Sequence, residues 1–486
     1  MRIVTISSLL VAWAIHVISI MQDDHSCDGS LSLDPATYSA ADTIERDVVI
    51  VGGGSSGAFT AVRLRDSNKS VVVIEKQGTL GGHAETYTNP FTGYTTDLGV
   101  VIFHNLQIVR DYFARFDTPL FNLPSFAINL TYVDFTTGQT VDFKPPSAEA
   151  FTTALKSYSR HLERHADIQL GFNLSYPIDP DLLLSFKEFV EKYGLQDLVP
   201  RTFMTNQGYV QILDISMLYI FKNLNMDTIR DYLESSFLTT VHHNVQELYT
   251  KVAHFLGSDA LLSTKILAME RRSLDNHSAV SSGSHAIRIL VKTPSGRKLI
   301  LAKALVFALP PVVDGLDGFD LSEEERTLFG KFHANGYYAG LLNNTGLTES
   351  ITATGPGQDY NIPVLPGPYG MGVTAEGLTQ VFYGSPSVLS DSQVKADLIS
   401  SIKSVQRARG IVTNGAEPDW LAFTNHSSFN LMVSNDDIKH GFYRKLLSLQ
   451  GKRNTFYHGA AWETQDSSIL WKFTDEYVLP KLLSVL

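Results

Sequence analysis

Three glycines and one carboxylate carry the first chemistry legible in this chain. Gly52, Gly54 and Gly57 are spaced G-x-G-x-x-G inside the run DVVIVGGGSSG (47–57), and Glu75 lies 18 residues beyond Gly57. In such a pattern the first glycine permits a tight turn, the second lets backbone approach a pyrophosphate, and the third lets helix and strand pack closely. The first helical turn after them, here containing Ser56, turns its amides and the positive end of its dipole toward a diphosphate. An acid roughly 20 residues further on holds a ribose hydroxyl and repels a 2′-phosphate. The spacing predicts a dinucleotide site and disfavours NADP.

The elements that must position these groups follow from local pattern. Asp47 to Val51 is a β-branched apolar run, as in a buried parallel strand. Ser56 to Arg65 has helical spacing, and Ser70 to Ile74 reads as a second strand ending on Glu75. Lys76 and then Gly81-Gly82-His83 follow, with Asp97-Leu98-Gly99 beyond. A nicotinamide unit has no evident need for paired glycines directly after its acid strand. An extended FAD does, because it must pass close to backbone.

The totals bound the rest. A chain of 486 residues exceeds what one core usually supports, so two or three lobes are expected. Hydrophobic residues make up 44% and charged residues 18%, an ordinary globular balance. A net charge of -11 offers no basic stripe and argues against a nucleic-acid partner. With a single cysteine, Cys27, neither an intrachain disulfide nor a cysteine metal site can form. No metal is expected.

Taken in order, Met1 to Ile20 reads as a signal peptide, with Arg2 before an apolar run, and Cys27 to Arg46 as a polar linker. Cleavage is expected between Ser19 and Ser26; a signal anchor is the alternative, since the run is nearly long enough to span a bilayer. Secretory entry is compatible with glycosylation sequons at Asn68, Asn129, Asn173, Asn276, Asn343 and Asn425. Residues 47–104, 250–315 and 430–486 are assigned to the dinucleotide domain, 105–249 to an inserted helical cap and 316–429 to a β-rich substrate lobe. Helices are expected over 185–194, 207–224, 226–237 and 391–408, and strands over 261–272, 286–293, 298–301, 304–309, 336–342 and 379–384. The end reads as strand Thr455 to His458, a turn at Gly459-Ala460-Ala461-Trp462, and one helix from Ser467 to Leu483.

Together, Val49 to Gly57, Glu75, Gly81-Gly82-His83, Asp97-Leu98-Gly99 and Ala308-Leu309-Pro310-Pro311 resemble the flavin-containing amine oxidase superfamily. Gly82 to Tyr87, Phe103-His104-Asn105 and the tail Gly459 to Ser468 are more similar to fungal FAD-dependent oxidoreductases of the β-cyclopiazonate dehydrogenase type. Bacterial polyenoic fatty acid isomerases look like more distant relatives. The resemblance implies an α/β fold: a Rossmann-like FAD domain of the amine-oxidase (GR2) type, with the helical cap and β-rich lobe inserted. It further implies Gly52, Gly54 and Gly57 on the pyrophosphate, Glu75 on the adenosine ribose and backbone at Ile266 on the adenine. Gly81, Gly82 and His83 would run beside ribityl and flavin, and Gly459, Ala460, Ala461 and Trp462 would border ribityl and ring. The helix from Ser467 would aim its N-terminus at the flavin pyrimidine. His83 stands where amine oxidases commonly carry arginine, and a C-terminal cysteine for covalent attachment is absent, so FAD is expected to be non-covalent.

The implied chemistry is hydride transfer from a small specialised metabolite to flavin, reoxidised by dioxygen or another acceptor. No base is compelled, and no catalytic residue is assigned; His104, Tyr457 and Trp462 are candidates for pocket walls. A redox-neutral shift of a double bond would use the same motifs, and a flavin-free binding module of the same fold is a third reading. Gly54-Ser55-Ser56-Gly57 lacks the spacing of a serine nucleophile.

Overall fold

Strand alternation at the start of the dinucleotide motif divides the core. Val48 and Ile50 pack with Ala58, Ala61 and Val62, whereas Val49 and Val51 face Ile289, Val291 and Leu305. A strand that buries both faces is the mark of a parallel sheet covered on each side. The computed structural model describes residues 31–123, 130–272, 285–413 and 415–486. The expected signal peptide, Cys27, and the sequons at Asn129 and Asn276 lie outside the described residues.

The first sheet has seven strands. β1 (Thr43–Val51) pairs in parallel with β2 (Val71–Ile74) on one side and with Gly296–Phe307 on the other. Ala260–Leu261 extends it beyond β2, Ile287–Thr293 and Lys265–Arg271 extend it antiparallel beyond Gly296–Phe307, and Thr455–Tyr457 pairs in parallel with that same long strand. Helix α1 (Ser55–Asp66) follows β1 directly. The polar stretch before Asp47 is not a free linker to its end: Thr43 to Arg46 already pair with Leu299 to Ala302, because the partner strand is long enough to receive them. For the same reason the two strands expected at 298–301 and 304–309 are one. The single strand expected over 261–272 is instead two, separated at Leu262–Thr264, where Ser263 has φ +50°.

The second sheet has eight strands, with His333–Asn343 flanked by Thr379–Ser385 and Asp419–Asn425. Its far end is Thr131–Asp134, parallel to Ile351–Ala353, then Gln139–Thr140. These two strands fall inside the segment read as helical cap. The signal was available: Asp134 accepts from Thr136 N–H and Thr137 Oγ1, and Gly138 has φ +78°, the chemistry of a hairpin turn. At the other boundary Phe429–Met432 pairs with His333–Asn343, so the sheet runs past residue 429.

The rest of 105–249 is largely helical. Phe186–Tyr193 has the expected frame, with Ser185 and Glu188 forming a capping box and Gly194 left-handed at the end. The helix expected over 207–224 is shortened to Met217–Asn223, since Gly208 and Val210 both have positive φ. The C-terminal helix is interrupted as well. A π turn at Thr474–Val478 separates Ser467–Phe473 from Leu479–Leu483, just before Pro480, which lacks an amide to continue the α ladder.

Candidate functional site

The turn after β1 is held from three sides. Gly52 N–H donates to Ile74 O at 2.9 Å, and a Cβ on Gly52 (φ +100°) would stand 2.6 Å from Ala308 O, so Ala308-Leu309 presses directly on the turn. A Cβ on Gly57 would lie 1.9 Å from Gly52 O, which leaves glycine alone able to seat α1 against β1. Gly54 differs. Its added Cβ would meet nothing nearer than Gly82 Cα at 3.9 Å, so the protein itself does not require glycine there. Gly54 and Gly81 form an isolated parallel bridge, which brings the two glycine segments side by side.

Glu75, only 7% exposed, ends β2 beside this turn. Its carboxylate accepts Gly53 N–H at 2.7 Å and Gln77 N–H at 2.8 Å, using part of its acceptor capacity. Thr264 N–H donates to Glu75 O, which places neighbouring Ile266 at the same end of the sheet, while Lys76 is exposed.

The tail returns to the same place. Helix Ser467–Phe473 abuts α1: Trp471 Nε1 donates to Ser55 Oγ at 3.1 Å, and Gln465 Nε2 lies 3.2 Å from His83 Nδ1. Gly459 has φ +113°, and a Cβ on it would meet nothing within 4 Å. Tyr249, missed from sequence, lies under Gly81, where an added Cβ would approach its ring to 3.0 Å, and its hydroxyl faces Ser55 and Ser467. Burial lifts that hydroxyl to about 12, so it stays a neutral donor. Two open glycine backbones, an acid and two helix N-termini therefore gather at the C-terminal end of the parallel strands. The residues present fit an extended dinucleotide.

The three residues expected as pocket walls sit differently. His104 is 3% exposed, its Nδ1 2.7 Å from Asp231 and its Nε2 3.2 Å from Asp466. Burial opposes charge on the ring, but Asp466 and Asp231 outweigh it and push the imidazole up to about 10. It is a cationic link between the helix Met226–Glu234 and Asp466, the cap of Ser467–Phe473. Tyr457 directs its hydroxyl to Glu325 and to Arg271, within the buried ion cluster of Arg271, Asp320 and Glu325. Trp462 is fully buried and stacked on Tyr457 at 5.1 Å, and its Nε1 has no hydrogen-bond partner among the described residues. All three are enclosed by protein; a lone aromatic or histidine in sequence cannot reveal which way it will face.

Beside the tail lies a small cavity of about 10 Å³, room for one water, lined by Phe172, Tyr209, Tyr219, Met432, Ala460 and Gln465 among others. Lys222 and Glu463 form a fully buried ion pair on its edge. Lys222 Nζ also donates to Ile168 O at 2.8 Å and Gly171 O at 3.0 Å, and Glu463 accepts Gly171 N–H. Burial draws Lys222 down and Glu463 up, each opposed by the other. The sequence signal was a single lysine in the apolar helix Met217–Asn223. His83 is half-buried, 4.9 Å from the ring of His426, and burial together with that ring pushes it down to about 3. Both histidines are neutral.

The model of an NAD(P)-binding Rossmann-like domain matches residues 50–116. FAD-dependent oxidoreductase oblC of Cochliobolus heterostrophus is 40% identical over 94% of this chain and 95% of its own. The β-cyclopiazonate dehydrogenase of Aspergillus oryzae is 31% identical over 92% and 94%. Among solved structures, a fatty acid isomerase from P. acnes that produces CLA superposes with TM-score 0.70 at 16% identity, over 90% of this chain and 98% of that one. Putrescine oxidase bound to putrescine gives 0.61 at 14%, over 91% and 100%.

Proposed function

This chain belongs to the fungal FAD-dependent oxidoreductases, and from that premise we propose that it removes hydride from a C–H or C–N bond of a small specialised metabolite, in secondary-metabolite biosynthesis. The cofactor is FAD and the substrate a small molecule. The observation that carries the reading is the meeting of the turn at Gly52–Gly57 with the tail at Gly459–Trp471, 3.1 Å apart at Ser55 and Trp471. When bound, FAD supplies the hydride acceptor. The chain supplies position and field. Gly52, Gly54, Ser56 and Gly57 would hold the pyrophosphate at the start of α1, and Glu75 the ribose with its remaining lone pairs. Gly81, Gly82, His83 and Gly459 to Trp462 would line the flavin half, with Ile266 and Lys76 at the adenine end.

Attachment is non-covalent in this reading, and dioxygen or a cellular acceptor reoxidises the flavin. Mixing purified holoenzyme anaerobically with candidate metabolites tests the reaction: an oxidoreductase loses its flavin colour, whereas rearranged product over unbleached flavin would replace the proposal with double-bond isomerisation. Acid precipitation should release all of the flavin.

Secretory entry is part of the proposal. The four sequon asparagines within the described residues, Asn68, Asn173, Asn343 and Asn425, are all exposed, and no described helix is long and apolar enough to cross a membrane. A mobility shift on endoglycosidase treatment of protein from its native host is expected; none would reject it.

A further inference from the structure

We propose that Tyr249 is a positioning residue for FAD, acting on the cofactor's diphosphate through the hydroxyl of Ser55. This rests on the FAD reading above and deepens it, since Tyr249 lies outside both glycine segments and the tail.

Place is the first observation. Tyr249 stands in the first turn of the helix Gln246–Leu256. That helix start is tied to the glycine loop and its neighbours: Val245 N–H donates to Asp97 Oδ1 at 2.9 Å, and Gln246 Nε2 to Leu80 O at 2.8 Å. The Tyr249 ring packs against Gly81, which bridges to Gly54 and donates its N–H to Gly53 O at 2.9 Å. Its hydroxyl faces Ser55, the first residue of α1, and Ser467, the first residue of the tail helix. One side chain therefore supports the junction of the glycine segments and ends where α1 begins, at the pole of a helix that attracts a diphosphate.

An unpaired hydroxyl is the second. Tyr249 is fully buried, and its Oη has no hydrogen-bond partner among the described residues; it faces the two serines without bonding to either. Buried hydroxyls are normally paired, with protein, water or ligand.

The balance of donors and acceptors is the third. Among the described residues the Ser55 hydroxyl makes one hydrogen bond, which it accepts from Trp471 Nε1 at 3.1 Å. An indole N–H only donates, and burial keeps the Tyr249 phenol protonated. A serine oxygen offers two lone pairs and one proton. With Trp471 on one lone pair and Tyr249 on the other, the Ser55 proton is directed away from both. A phosphate oxygen at the start of α1 accepts it, and a bond to an anionic oxygen is stronger than one between neutral groups. The same bond draws Ser55 into register with Tyr249, so the diphosphate pairs both hydroxyls at once.

The test compares holoenzymes of the wild type, Tyr249→Phe, Ser55→Ala and the double variant. Flavin fluorescence reads FAD release on dilution, and phosphorus NMR reads the bound diphosphate. Tyr249→Phe keeps the ring beside Gly81 and should release FAD roughly tenfold faster, with a moved diphosphate signal. Ser55→Ala should do the same, and the double variant should be little worse than Ser55→Ala alone, because the two act in series. Wild-type release by either single variant overturns the proposal. Additive losses would put Tyr249 on a route that bypasses Ser55, and unmoved phosphorus signals would reduce it to packing. Failure of Tyr249→Phe to fold also counts against the proposal, since the hydroxyl would then hold the protein and not the cofactor. A wild type that purifies without FAD defeats the cofactor reading itself, whereas a flavin-loaded wild type with indifferent variants defeats only this proposal. No turnover enters either measurement, so failure of hydride transfer is a separate result.

Discussion

Trp471 Nε1 donates to Ser55 Oγ across 3.1 Å, although 416 residues separate them in sequence. The contact ties the C-terminal helix to the first residue of α1, at the mouth of the glycine turn. It is a neutral hydrogen bond, and such bonds contribute about 1 kcal/mol net. Trp471→Phe keeps an aromatic ring beside Phe59 and Phe103 but loses that bond and its companion to Ser55 O, and leaves a gap where the fully buried indole stood. Chemical denaturation should register a loss of about 1–3 kcal/mol, together with weaker FAD retention.

The glycines of the turn should separate by role. Gly57→Ala places a Cβ 1.9 Å from Gly52 O, so the variant should fail to accumulate as folded protein. Gly54→Ala has room for its Cβ within the protein and an extended backbone (φ −66°, ψ −173°) that any residue adopts. It should fold with a wild-type far-UV spectrum yet retain FAD poorly. Wild-type FAD retention by Gly54→Ala would rule out close pyrophosphate contact at this residue.

Glu75→Ala should release FAD at least tenfold more readily on dilution, read as recovery of flavin fluorescence. Two losses add: the ribose partner, and the Gly53 N–H bond that shapes the turn. Glu75→Gln keeps an acceptor for Gly53 and should fall between.

The His104 link predicts a particular pH dependence. Its imidazole is raised from an ordinary 6.5 to about 10, so the unfolded chain gives up this proton first as pH rises. Its stabilisation is therefore complete below about pH 6.5 and fades as pH climbs toward 10. His104→Gln should melt well below the wild type at pH 6, and the gap should narrow by pH 10. A gap constant over that range would mean the ring is neutral.

Lys222→Met leaves Glu463 buried without its cation. Loss of one partner of a buried pair costs about 3–5 kcal/mol, whereas Lys222→Met with Glu463→Gln should recover part of it. Denaturation midpoints of the two variants and the wild type check the ordering.

Much of the dinucleotide half is written in local sequence. β-branched runs, G-x-G-x-x-G and an acid at the right interval depend only on strand period and turn sterics, and Asp391–Ala408 keeps the ends that its periodicity predicts. Register between distant strands is a different matter. That Thr43 to Arg46 pair with the strand Gly296–Phe307, and that residues 131–140 join the second sheet, depends on partners more than a hundred residues away.

By itself the sequence determined the cofactor class, because the G-x-G-x-x-G spacing, the acid at its interval and the glycine pair after it are local patterns fixed by strand period and turn geometry. Tertiary structure alone decided what His104, Tyr457 and Trp462 do. A side chain's role depends on what packs against it, and Asp466, Glu325 and Lys222 reach their partners only when the fold brings the chain's two ends to one cleft.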